Sequence, residues 1–200
     1  MRLLPSGERA LLVELSDLDE VLALAEAVRG LAGIEDVVPG ERTLLVTVAV
    51  PGDLESVRRA LPEMTGASMS VVAGARTLEI RVTYDGPDLA DVAAQTGLTV
   101  ADVIAAHQAT PWRVGFGGFA PGFAYLVDGD PRLEVPRRPE PRPSVPAGSV
   151  GLAGRYSGIY PRPSPGGWQL IGHTDAALFD VDATPPALLQ PGMTVRFVAG

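Results

Sequence analysis

Residues 111–127 read Pro111-Trp112-Arg113-Val114-Gly115-Phe116-Gly117-Gly118-Phe119-Ala120-Pro121-Gly122-Phe123-Ala124-Tyr125-Leu126-Val127. From Pro111 onward glycine or proline recurs every few residues. Proline removes an amide donor and glycine adds backbone entropy, so no helix of useful length survives there. Short apolar runs remain between the breakers, and they predict strands over 112–116, 123–127, 149–153, 168–171 and 194–198. Many short strands with frequent breakers predict a barrel or a sandwich.

Working outward, 42 of the 200 residues are glycine or proline, 14 of them in residues 1–110 and 28 in residues 111–200. An apolar fraction of 46% excludes disorder despite that enrichment, and its uneven spread separates the chain into two regions. The first has regular patterning. Residues 9–15 form an apolar run behind the turn-like Pro5-Ser6-Gly7. Leu18, Val21, Leu22, Ala25 and Val28 recur at helical spacing up to Gly30. Strands follow over 34–38 and 43–50, then a helix capped by Asp53 and a strand over 68–73. This β-α-β-β-α-β order predicts a ferredoxin-like split βαβ domain over residues 1–76. Residues 78–84 alternate Leu78, Ile80, Val82 and Tyr84 with polar residues and open a second domain, 77–200. Helices over 88–95 and 99–108 pack on the barrel or plug one end. Thr99 and Asp102 are placed for a capping box, and Val100, Val103, Ile104 and His107 share a face.

Composition narrows the chemistry further. There is no cysteine, and all 16 basic residues are arginine. A thiolate nucleophile, a Schiff-base lysine and a Walker lysine are therefore excluded. His107 and His173 are the two imidazoles, far apart in the chain, and their placement suggests no metal site. A net charge of −8 argues against nucleic-acid and membrane-surface binding. No apolar run reaches the ~20 residues of a membrane span, and the start Met1-Arg2-Leu3-Leu4-Pro5 is not a signal sequence, so a cytoplasmic protein is expected.

Several strings invite specific chemistry. Gly115–Ala120 fits G-x-G-x-x-A, but Pro121-Gly122 prevents the helix that a dinucleotide site requires. Ala147-Gly148-Ser149-Val150-Gly151 approaches a nucleophile elbow, but Gly154 and Gly158 keep the following segment extended, so Ser149 reads as a turn or strand hydroxyl. His107 is either a packed imidazole near a helix C-terminus or a proton-transfer group. Arg132, Arg137, Arg138, Arg142, Arg155 and Arg162 cluster in a proline-rich segment that reads as an extended loop. Its guanidiniums are expected to be free for carboxylate or phosphate. Ser164-Pro165-Gly166-Gly167-Trp168 reads as a turn suited to close backbone approach.

Four blocks taken together resemble one family: Gly118 to Leu126; Pro141-Arg142 with Val145 to Val150; Gly158-Ile159-Tyr160-Pro161; and Ser164 to Trp168 with Ile171-Gly172-His173-Thr174. The family is that of the 5-oxoprolinase B subunit, also known as allophanate hydrolase subunit 1 or the sporulation-kinase inhibitor family. The resemblance spans the chain and implies an α+β N-terminal domain followed by a mostly-β, cyclophilin-like barrel. It implies one component of an ATP-dependent 5-oxoprolinase, inactive alone, that acts with a homologous C subunit and a lactam-binding A subunit. Alternatives within the family are a histidine-kinase inhibitor and a carboxyltransferase-type component of a urea or allophanate pathway.

On that reading ATP is held with partner subunits. Arg142 pairs with a carboxylate or phosphoryl oxygen and His107 orients a proton transfer. Phe119, Tyr125, Ser149, Tyr160, Gly166, Gly167, Trp168 and His173 contact substrate, with Phe119, Tyr125, Arg142 and Trp168 at the barrel mouth. The sequence departs from the family pattern at Trp112, at Tyr156-Ser157 and at His173.

Overall fold

A computed structural model describes residues 1–64 and 76–200. The chain divides into two compact units, Met1–Gly74 and Ala75–Gly200.

In the first unit β1 (Arg2–Ser6), β2 (Ala10–Glu14), β3 (Ile34–Pro39) and β4 (Thr43–Val48) form a sheet in the order β1-β2-β4-β3. Both β2 and β3 run antiparallel to β4 and so run parallel to each other, with α1 (Leu18–Arg29) as the crossover. The helix begins where the Asp17 carboxylate accepts the Glu20 amide, and it buries Leu18, Val21, Leu24, Ala25 and Val28. A second helix, α2 (Leu54–Met64), buries Val57 and Leu61.

The sequence pattern does not reveal β1. Pro5 is not in a turn but sits in the edge strand, opposite Leu11. An edge tolerates proline because its amide faces no neighbouring strand. The strand expected over 68–73 lies outside the described residues.

In the second unit seven strands form one sheet. They are β5 (Thr77–Val82), β6 (Trp112–Gly117), β7 (Ala124–Val127), β9 (Ser149–Ala153), β10 (Tyr156–Ile159), β12 (Gln169–His173) and β13 (Thr194–Ala199). Their order is β12-β9-β10-β7-β6-β13-β5. The remaining strands, β8 (Arg142–Val145) and β11 (Ser164–Gly166), pair as a separate ribbon. The two ends of the large sheet meet where Thr83, just past β5, exchanges two 2.9 Å backbone hydrogen bonds with His173 of β12. The sheet is thereby a nearly closed barrel.

Helices α3 (Leu89–Thr96) and α4 (Val100–Ala109) contribute Leu89, Val92, Ala93, Val103 and Ala106 to the barrel's main core. Thr99 and Asp102 form the expected capping box. Val100 departs from the expected buried face: it lies in the first turn and is 40% exposed. The proline-rich segment is not a simple loop, since it contains β8, and Ser164–Gly166 is a strand rather than a turn.

Closure of the barrel demands a bare backbone on β12. A Cβ at Gly172 would strike the Thr83 carbonyl and come within 3.1 Å of Tyr84 Cα. Gly172→Ala is therefore expected to destabilise the protein by about 1–3 kcal/mol, as overpacking does. Gly117→Ala, whose Cβ would meet nothing closer than the Phe123 carbonyl at 3.7 Å, should leave the denaturant midpoint nearly unchanged.

Candidate functional site

Strand periodicity places two apolar clusters on opposite faces of the same strands. Leu126, Val150, Leu152, Ile159 and Ile171 join the main core. Their neighbours Tyr125, Ala153, Tyr160 and Leu170 belong to a second cluster with Phe123, Val145 and Trp168. Every residue of β9 is buried, because both of its faces are covered.

The second cluster is largely aromatic. The Phe123 ring lies 5.2 Å from Tyr125, 5.6 Å from Tyr160 and 5.4 Å from Trp168, all edge to face. Phe119 closes the group at 5.3 Å from Phe123, yet it is 59% exposed and has φ of +62°. The turn after it explains that presentation. Phe123 donates its amide to the Ala120 carbonyl at 2.9 Å, with Pro121 and left-handed Gly122 between them, a type II arrangement. These rings, together with Arg137, Pro141, Pro165, Gly166 and Gly167, surround a cavity of about 240 Å³. Gly166 is required there, since a Cβ would collide with the Tyr160 hydroxyl.

The cavity lies against the second cluster, with Tyr125 of β7, Pro165 and Gly166 of β11, and residues next to β8, β10 and β12 in its lining. It brings together Phe119, Tyr125, Tyr160, Gly166, Gly167 and Trp168 of the sequence-derived residues. Phe123, Pro141 and Pro165 line it without a role suggested by the sequence, and Arg137 comes from the arginine cluster expected to meet carboxylate or phosphate.

Arg142 does not line the cavity. Its guanidinium donates at 2.7 Å to Asp88, and Arg138 donates to the same carboxylate oxygen at 2.8 Å. The other oxygen of Asp88 accepts the Leu170 amide at 2.7 Å. The expectation that the clustered guanidiniums are free is thus corrected for Arg138 and Arg142, because a carboxylate only 1% exposed needs both of them. Burial pushes the Asp88 pKa up, but hydrogen bonds from Arg142 and Leu170 and the charges of Arg142 and Arg138 outweigh it and hold the carboxyl below its usual range. Asp88 is the N-cap residue of α3, yet its side chain makes no capping hydrogen bond. The arginine-rich segment's need for a buried counter-charge was the available signal.

His107 lies apart from the cavity, fully buried in the core. Its Nδ1 is 2.8 Å from the Tyr84 hydroxyl and its Nε2 is 3.0 Å from the Ser157 hydroxyl. Its ring stacks on Phe197 at 4.2 Å, and its carbonyl accepts from the Trp112 indole at 3.1 Å. Burial pulls the imidazole pKa down to about 3. The structure therefore gives His107 the packed role. The departures from the family pattern, at Trp112, Tyr156-Ser157 and His173, do not fall in the cavity lining.

Ser149 begins β9 opposite His173, and β9 turns into β10 as a hairpin rather than into a helix. His173 lies at the barrel seam, 2.8 Å from Asp85. Neither reaches the cavity. Among the described residues, no cluster of His, Asp or Glu could hold a metal ion, and no single helix is long and apolar enough to cross a membrane.

The match to known proteins places the chain in the carboxyltransferase-domain class. The profile of the family "Carboxyltransferase domain, subdomain C and D" matches residues 1–189, and the chain belongs to that family. Its relatives include proteins named as the B subunit of 5-oxoprolinase. The one from Escherichia coli O157:H7 is 40% identical over 96% of this chain and 93% of its own length. The one from Bacillus subtilis is 43% identical over 74% and 64%.

Among solved structures, TTHA0988 superposes with a TM-score of 0.81 at 40% identity over 96% of this chain, which spans 40% of that longer chain. The Kluyveromyces lactis urea amidolyase superposes with a TM-score of 0.75 at 20% identity, over 99% of this chain and 15% of its own, a likeness of fold.

Two outcomes follow from the buried groups. Removing the Asp88 carboxylate strands two partly buried guanidiniums, so Asp88→Ala should cost about 3–5 kcal/mol in denaturant unfolding. For His107 the folded-state pKa of about 3 lies below the unfolded value of about 6.5. Between these values the unfolded chain binds a proton that the folded chain refuses, so stability falls as pH falls. The slope should approach about 1.4 kcal/mol per pH unit in wild type, and the contribution should vanish in His107→Gln, measured by unfolding between pH 7 and 5.

Proposed function

We propose that the chain is one component of an ATP-dependent 5-oxoprolinase, opening 5-oxo-L-proline to L-glutamate together with a homologous C subunit and a lactam-binding A subunit. The observation that carries this reading is the identity of 39–43% to three proteins named as the B subunit of 5-oxoprolinase. In the reaction a water oxygen joins the lactam carbonyl carbon, the ring C–N bond breaks and the nitrogen takes up protons. A second water cleaves ATP to ADP and phosphate. The finer fold assignments belong to the same proposal, with a ferredoxin-like N-terminal domain over 1–76 and a cyclophilin-like barrel over 77–200.

The cavity supports a component that binds rather than one that performs the whole reaction. Its lining carries neither a carboxylate nor an imidazole, and its ionisable residues are Arg137, Tyr125 and Tyr160. Burial raises the Tyr160 pKa, so that phenol stays protonated. General base catalysis at neutral pH needs a group tuned near 7, and a partner chain would supply it.

On this reading a nucleotide is held with partner subunits rather than by a phosphate-binding motif of this chain. The chain has no lysine, and Gly115–Ala120 leads from β6 into a tight turn instead of a helix N-terminus. No ATP step is therefore assigned to these side chains.

The family's carboxyltransferase name favours a second reading, a carboxyltransferase-type component that would need a biotin-bearing partner. The test is co-purification with candidate subunits and assay of ATP-dependent 5-oxoproline turnover. Omitting this chain should abolish turnover. Phe119→Ala should lower it at least tenfold with unchanged thermal stability, because that ring is exposed. Turnover indifferent to omission overturns the reading.

A further inference from the structure

We infer that the aromatic cavity binds a compact ring carrying a carboxylate, with Arg137 and the Tyr160 hydroxyl as the groups that fix the carboxylate. The inference deepens the proposed function at the same site, but it concerns recognition by this chain alone.

Three observations converge on it. The walls are ring faces and edges from Phe119, Phe123, Tyr125 and Trp168, which suit a flat apolar body. A cavity of about 240 Å³ lies below the usual range for drug-sized ligands, so the occupant is small. The lining holds one cation, exposed to solvent. Asp88 engages Arg138 and Arg142, whereas Arg137, next in the chain, lines the cavity and makes no ion pair among the described residues.

The strap that carries Arg137 is held rigidly. Arg138 donates its amide to the Gly167 carbonyl at 2.7 Å, and Gln169 donates its side-chain amide to the Pro136 carbonyl at 3.1 Å. Arg137 is thus bracketed by anchored residues. Tyr160 adds a complementary donor. Its oxygen accepts the Trp168 backbone amide, and burial keeps the phenol protonated. A guanidinium and a phenolic O–H in one cavity lining offer donors for the two oxygens of a carboxylate, and a guanidinium is a permanent cation.

The test uses the full chain and three probes, cyclopentanecarboxylate, its carboxamide and 5-oxo-L-proline, with the Trp168 indole resonance as readout. The two acids should shift that resonance saturably, and cyclopentanecarboxamide should bind at least tenfold more weakly. Arg137→Ala should weaken the acids at least tenfold and leave the amide unchanged. Arg137→Lys should restore part of the loss, since ammonium keeps the charge without the fork. Arg132→Ala, whose guanidinium already pairs with Asp130, should change nothing. Equal binding of acid and amide, no saturable shift with any probe, or acid affinity untouched by Arg137→Ala overturns the inference. Binding of cyclopentanecarboxylate through Arg137 in a chain whose omission leaves 5-oxoproline turnover intact would uphold this site and overturn the proposed function alone.

Discussion

Asp88 receives two guanidinium donors and one backbone amide at 2.7–2.8 Å while almost wholly removed from water. Its partners come from a strap 50 residues onward and from β12, 82 residues onward. Desolvating a lone carboxylate would cost several kcal/mol, so the folded state tolerates Asp88 only with its donors in place. The converse also holds: two arginines in a proline-rich segment lacking helical hydrogen bonds have their place fixed by one buried anion. The start of α3, the strap and the barrel wall are therefore registered against a common point. The cavity's composition follows, because the arginine left out of that arrangement is the one beside the rings.

The two faces of the barrel strands divide the work. Leu152, Ile159 and Ile171 point one way and fill the main core. Residues next to them in sequence point the other way and build the aromatic cavity. A period of two makes this separation strict, so a side chain that serves the core cannot also serve the cavity. His107 falls on the core side, where hydroxyls occupy both ring nitrogens and burial keeps it neutral. Its value is to satisfy Tyr84 and Ser157 in a region where unpaired hydroxyls would be costly.

Much of this was legible in the sequence where a local signal sufficed. The capping box at Thr99 and Asp102, the bounds of β9 and the glycine-rich turn at Pro121-Gly122 depend on nearest neighbours, and they emerge directly. Prolines in β1, β8 and β11 hid those strands. Proline at an edge and proline at a break look alike in one dimension, and only pairing distinguishes them. The candidate site was legible as a set of aromatics and glycines but not as a place, since its lining comes from separate stretches of the chain. The largest gap was electrostatic. The sequence showed six arginines and an excess of positive charge, but not which two would be consumed by an aspartate from another element. That pairing exchanged Arg142 for Arg137 at the cavity.

The exchange bears on how the chemistry is divided between chains. A guanidinium does not titrate near neutrality, and the Tyr160 phenol is pushed further from it by burial. A permanent cation and the protonated Tyr160 phenol therefore present the same donors to a ligand across the physiological range. Any dependence of turnover on pH near 7 must then originate in groups outside this cavity. On the proposed function, a wall of rings with a permanent cation orients and holds, and proton transfer and nucleotide chemistry would fall to partner chains. On that same reading, such a wall gives a chain without lysine or cysteine, with His107 sealed in the core and His173 at the barrel seam, a coherent part in a multisubunit hydrolase.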